Sequence, residues 1–353
     1  FCQSIKKKFP KQRFTFYYNS KRQTIKIVKK NIVLSQAMDE LGKTFTFGEI
    51  GKIKHKYIRF IYGSLILIKL SFLLKFTKLK IIHFALLETF PFRLLNYFAP
   101  NSIFHFEGNC WSESPSVRDV DEQVQTKDMV RIKIVYSGRI FKNTNYVGFG
   151  KYWHKLETVE KSKTKVNSFI IKSTRSRQAW LDYVKNNLAK IINNQKKLIN
   201  FDDNNKPILF VLTSLGHLPQ LREGDSSLKL FIRTIKIIKK NYPNKQIILK
   251  PHPITDGVFQ NEKNLLDKTI NDLKHEGIFI SYLHVSALSK FCCLAICNSF
   301  SLAMVDAYIS GLPTIEFTDY NDLTKEITKN KSTRPEFITY FINNEDKKFL
   351  ESL

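Results

Sequence analysis

The second half of the chain alternates two kinds of segment, and that alternation restricts the fold more than any other feature. Short runs of Ile, Leu, Val and Phe fall at 207–212, 246–249, 278–280, 294–296 and 313–317. Each is too short for a helix and is apolar at nearly every position, as a strand covered on both faces must be. Between them lie stretches with apolar residues three and four apart, at 228–240, 264–275 and 301–308. Strand–helix repeats of this kind build a parallel sheet flanked by helices.

The first half carries a weaker version of the pattern. Strand-like runs occur at 13–18, 80–85, 102–106 and 131–136, and a short helix at 92–98 lies between Pro91 and Pro100. A helix with apolar positions at Trp180, Leu181, Val184, Leu188, Ile191 and Ile192 is expected over 178–197. The expected architecture is α/β, with two Rossmann-like domains at 1–170 and 171–353.

Composition supports a folded chain and narrows its partners. Hydrophobic residues make up 43% of the 353 residues, enough for a real core. Lys and Arg number 57 against 31 Asp and Glu, a formal net charge of +26. A surplus of this size suits anionic partners, or reflects a plain compositional bias toward Lys, Asn, Ile and Phe. The anionic face of a membrane is the leading candidate. Nucleic acid is disfavoured, because the lysines are spread along the chain and no zinc-finger, KH or RNP motif is present. The segment 58–76 reads either as an amphipathic helix in a membrane interface or as a buried helix. It is interrupted by Arg59, Lys69 and Lys75, so no transmembrane helix is expected there. Five cysteines without paired zinc spacing argue for a reducing compartment and no structural metal.

Ligands of such sheets sit at the carboxyl ends of the strands. Four loops qualify. Lys250-Pro251-His252-Pro253 holds an imidazole on a stiff loop, either to hydrogen-bond a phosphate oxygen or merely to turn the chain. Asn298-Ser299-Phe300-Ser301 opens a helix, where serine hydroxyls cap the helix or meet an anion. Glu107-Gly108 ends a strand, as a base facing a cleft or as an exposed turn. Thr213-Ser214-Leu215-Gly216 touches a nucleotide or turns the chain. There is no P-loop, no Gly-x-Gly-x-x-Gly fingerprint, no His-Glu-x-x-His and no Gly-x-Ser-x-Gly.

Three of these loops together resemble the bacterial GT-B sialyltransferases and polysialyltransferases, and more broadly the capsule-polysaccharide transferases. Glu107-Gly108 stands at the family's acidic-Gly motif, His252-Pro253 at its HP motif, and Ser299 and Ser301 at its serine motif. Phe106 replaces the first acidic residue, and Asp306 stands where related capsule enzymes carry glutamate. The resemblance implies two domains facing a cleft, with the N-terminal one expected to be incomplete because the chain opens at Phe1.

It also implies an inverting, metal-independent enzyme that moves sialic acid from CMP-sialic acid to a glycan acceptor, a surface lipooligosaccharide or polysialic acid. Glu107 would be the base and His252 the donor to the departing phosphate. Lys250, Pro253, Thr213, Ser214, Asn298, Ser299, Ser301 and Asp306 would bind the donor. No cofactor is implied, the CMP-sugar being a substrate. The location implied is cytoplasmic, at the inner face of the membrane. The alternatives are a CMP-Kdo or other capsule transferase of the same fold, a basic nucleic-acid-binding module, or an inactive homologue.

Overall fold

A computed structural model describes residues 2–18, 31–46, 53–83, 95, 97–106, 145–148, 167–171, 177–196, 205–213, 215, 221–222, 226–251, 260–273 and 277–353. The chain forms two units, one from 1–46 with 175–353 and one from 47–174. The expected boundary near 170 is therefore corrected at the N-terminal end: the first 46 residues belong with the C-terminal unit.

The reason is visible in these first elements, helix α1 (Cys2–Lys8), strand β1 (Phe14–Tyr18), helix α2 (Ile32–Leu41) and strand β2 (Gly42–Thr46). Val33 of α2 shares a buried core with Val184 and Ile191. Lys7 pairs with Asp182 at 3.7 Å, and Gln36 donates to the side chain of Asn187 at 3.1 Å. Helix α2 starts at Asn31, whose side chain accepts from the Leu34 amide. Strands β1 and β2 pair in parallel, with Phe14 opposite Gly42. A Cβ on Gly42 would strike the Phe14 carbonyl, so only glycine permits this approach.

The 47–174 unit contains helix α3 (Lys56–Phe76) and strands β3 (Ile81–His83), β4 (Ile103–Phe106), β5 (Asn145–Gly148) and β6 (Asn167–Ile170). The four strands form a parallel sheet in the order β3-β4-β5-β6. Leu74, Leu95, Ala99 and Ile103 make its core. The strand expected over 131–136 lies outside the described residues.

The rest of the larger unit begins with helices α4 (Gln178–Asn186) and α5 (Leu188–Lys196). One continuous helix is expected here, and the structure breaks it at Asn187. The Asn187 side chain donates to the Tyr183 carbonyl at 2.9 Å, competing with the backbone ladder.

There follow β7 (Ile208–Val211), α6 (Ser227–Asn241), β8 (Ile247–Lys250), α7 (Gln260–Leu273), β9 (Ile278–Ile280) and α8 (Val285–Leu288). Then come β10 (Leu294–Cys297), α9 (Leu302–Ile309), β11 (Thr314–Thr318), α10 (Asp322–Thr328), β12 (Tyr340–Asn343) and α11 (Asp346–Glu351).

Six strands pair in parallel in the order β12-β11-β10-β7-β8-β9. Alternate side chains enter two separate cores. Leu209, Val211, Ile248, Ala295 and Cys297 pack on one face with Met304 and Ala307 of α9. Ile208, Phe210, Ile247, Leu249, Ile296 and Phe317 pack on the other with Phe231, Ile235 and Ile238 of α6. The α/β class expected from the sequence is observed, and each sheet is parallel throughout.

The strand order fixes where a ligand can enter. From β7 the chain runs outward through β8 and β9, then returns to β10 on the opposite side of β7. The direction of winding reverses between β7 and β10. Such a reversal between neighbouring strands is where a doubly wound sheet takes its ligand, at the carboxyl ends.

Candidate active site

A dimple too tight to hold a water molecule lies at that reversal point. Phe210, Val211, Leu212 and Thr213 from the end of β7 line it, with Ser227 at the start of α6 and Asn298 just after β10. The Thr213 and Ser227 hydroxyls are 3.3 Å apart.

Asn298 is 4% exposed, and its orientation is determined by its neighbours. Its Nδ2 donates to Thr234 Oγ1 at 2.8 Å and to the Phe317 carbonyl at 2.8 Å. Thr234 Oγ1 in turn donates to the Leu230 carbonyl, so it accepts from Asn298. Only the amide nitrogen can satisfy the Phe317 carbonyl, so Oδ1 takes the other side, where it has no hydrogen-bond partner. A buried amide oxygen left without a donor costs stability unless something fills the position.

Lys250 ends β8, directly opposite Val211 of β7. It is largely enclosed, and burial lowers its ammonium pKa to about 8, with the Asp306 carboxylate opposing the shift. Its Nζ donates to the Pro251 carbonyl at 3.2 Å. Asp306, buried on α9, also faces His284, with Nε2 to Oδ2 at 4.0 Å. His284 Nδ1 accepts from the Ser286 amide at 3.2 Å, which leaves the ring proton on Nε2, toward Asp306. The edge of Trp180 packs against the same ring, 5.0 Å between centroids.

The serine loop is held from below. Glu316, mid-strand in β11 and fully buried, accepts from Tyr320 at 2.6 Å, from Ser332 at 2.5 Å and from the Phe300 amide. Burial raises its pKa, against these donors and Arg334. Arg334 also lies over the Phe300 ring, 5.7 Å from its centroid. The amides of Ser299 and Ser301 point to the buried thiol of Cys297, whose pKa burial drives well up. Ser301 caps α9, its Oγ accepting from Ala303 N at 3.4 Å. The three amides of Ser299, Phe300 and Ser301 are therefore spent inside the protein, and an anion at this loop would meet hydroxyls.

Of the residues expected from the sequence, Thr213, Lys250 and Asn298 come together at the carboxyl edge of three adjacent strands. Ser299, Ser301 and Asp306 follow Asn298 on the same connection. His252, Pro253, Ser214 and Glu107 lie outside the described residues. His252 is two residues beyond Lys250 in the chain. Ser227, Thr234 and Glu316 were not singled out from the sequence. A carboxylate at the centre of the apolar run 313–317 was the available signal for Glu316.

No family model matches the chain, and no curated protein matches it. Among solved structures, the chain is similar to the UDP-GlcNAc 2-epimerase of Neisseria meningitidis, at 15% identity over 97% of this chain and 90% of that one, TM-score 0.48. It is similar to the UDP-GlcNAc 2-epimerase of Methanocaldococcus jannaschii, at 16% identity over 97% and 91%, TM-score 0.47. It also matches a glycosyltransferase from Rickettsia africae, at 13% identity over 97% and 88%, TM-score 0.43.

Proposed function

We propose that the protein is an inverting glycosyltransferase of GT-B type that moves sialic acid from CMP-sialic acid to a glycan acceptor. One observation carries this reading: the carboxyl ends of three adjacent strands at the winding reversal gather Thr213, Lys250 and Asn298, with the Ser227 hydroxyl 3.3 Å from that of Thr213. A nucleoside monophosphate matches that set chemically. Thr213, Ser227 and the Lys250 ammonium would donate to the phosphate.

Transfer asks for three further things. The acceptor hydroxyl must lose its proton, a role for Glu107. The bond between the anomeric carbon and the phosphate oxygen must break as the acceptor oxygen bonds from the opposite face, which inverts that carbon. The departing CMP phosphate must gain a hydrogen bond or proton, a role for His252. Ser299 and Ser301 would hold the same phosphate through their hydroxyls. Lys250 retains enough charge at neutral pH to offset the leaving group.

A thermal-shift panel of CMP, CDP, UDP and GDP tests the nucleotide class, followed by transfer or hydrolysis assays with CMP-sialic acid and CMP-Kdo. Stabilisation by CMP above the others, with turnover of CMP-sialic acid, is the expected result. Preference for UDP overturns the donor. Turnover of CMP-Kdo alone makes this a capsule-type transferase. RNA binding undiminished by His252→Ala, with no nucleotide response, overturns the enzyme reading.

A further inference from the structure

Helix α3 has two apolar faces, and the core uses only one. Leu67, Leu70 and Leu74 pack against the cluster of Leu95, Ala99 and Ile103, and Ser102 Oγ donates to the Leu74 carbonyl at 3.1 Å. On the opposite side Ile58, Ile61, Leu65, Ile68, Phe72 and Phe76 recur at intervals of three and four, a single stripe along the helix. Each of the six is between 54% and 70% exposed. An apolar stripe this long on the outside of a domain marks an interaction surface.

Charge says what covers it. Residues 53–83 contain seven basic side chains, Lys54, Lys56, Arg59, Lys69, Lys75, Lys78 and Lys80, and no Asp or Glu. At about 100° per residue, Lys69 and Lys75 fall on the two flanks of the stripe, each roughly 60° from its centre. A second copy of the chain would bring these cations against one another. A surface of acidic headgroups over an acyl layer complements both the stripe and its flanks.

We propose that α3 docks the protein on an anionic phospholipid bilayer, lying in the plane of the surface. The stripe enters the acyl boundary and the flanking lysines reach the phosphates. By length and composition the helix could also cross a membrane, with 21 residues and a mean hydropathy of 1.6 in its most apolar window. The C-terminal half of its inner face, Leu67, Leu70 and Leu74, is committed to the core with Leu95, Ala99 and Ile103, and Lys69 lies well inside its length, so the in-plane arrangement keeps both satisfied. This inference stands on α3 alone and is independent of the transferase reading.

The test is co-sedimentation of the full chain with vesicles of phosphatidylcholine, with and without about 30% phosphatidylglycerol. Binding to the acidic vesicles, weakened by salt and reversed by alkaline carbonate, is expected. The triple variant Ile61→Ser, Leu65→Ser, Phe72→Ser changes only exposed positions and should bind at least about tenfold less, with unchanged circular dichroism. The pair Lys69→Glu, Lys75→Glu should lose the preference for acidic vesicles and keep its fold. The proposal is overturned if the parent ignores acidic vesicles or the triple variant binds like the parent. Resistance to carbonate would make α3 a span. Light scattering that shows a dimer broken by the triple variant would make the stripe a protein interface.

Discussion

The phenol of Tyr320 donates to Oε1 of Glu316 at 2.6 Å, and both side chains are sealed from solvent. With Ser332 on the other carboxylate oxygen, the pair forms a polar cluster beneath the serine loop. Tyr320→Phe leaves one of those oxygens without its donor. We expect a loss of about 1–3 kcal/mol in urea unfolding, with the same slope as the parent.

The same carboxylate predicts a pH effect. Burial raises the Glu316 pKa above its ordinary 4.5, so the native chain holds this proton where the unfolded chain has released it. Its contribution is most favourable below the unfolded value and is lost as pH rises through the folded one. Glu316→Gln cannot titrate. The stability of the parent relative to this variant should fall as pH is raised from below that value, and equal pH profiles would refute it.

Lys250 predicts the opposite limb. Its folded pKa of about 8 lies below the ordinary 10.5, so nucleotide affinity should decline as pH climbs through about 8 and the ammonium is lost. Lys250→Met should bind CMP about tenfold or more weakly below that point and show no such decline. Calorimetric titrations across the interval read both effects.

Asn298 predicts a coupled loss. Asn298→Ala removes two buried donors at once and should cost about 1–3 kcal/mol in chemical denaturation. Nucleotide protection in thermal shift should disappear with it. Protection equal to that of the parent would separate Asn298 from the ligand.

Val33 predicts where the first 46 residues belong. Val33→Ala deletes methyl groups from the core that also holds Val184 and Ile191, at about 1–3 kcal/mol. Hydrogen exchange should quicken in α4, and not in β3–β6.

The sheet of the larger unit was legible because its strands are buried on both faces. Runs such as 207–212 and 294–296 carry no competing signal. Strand β12 was not legible: it is an edge strand with Tyr340 exposed, and its short run Tyr-Phe-Ile-Asn follows no helical stretch long enough to mark a strand–helix repeat. The placement of Thr213, Lys250 and Asn298 at the carboxyl ends of strands was legible because that rule needs only strand positions. The inward turn of the Ser299–Ser301 amides was hidden, since it depends on Cys297 and on Glu316, its register partner on the adjacent strand, and not on the loop itself. The grouping of 1–46 with 175–353 rests on contacts such as Lys7 with Asp182, which no local pattern encodes.

That grouping gives the backbone two passages between the units, one after Thr46 and one before Arg175. The 47–174 unit is therefore continuous in sequence, and the larger unit is not. A single protease cut in either passage leaves the other intact, and a severed 1–46 piece stays held by its noncovalent contacts. Nicked protein should therefore co-elute as one particle and separate only under denaturing conditions.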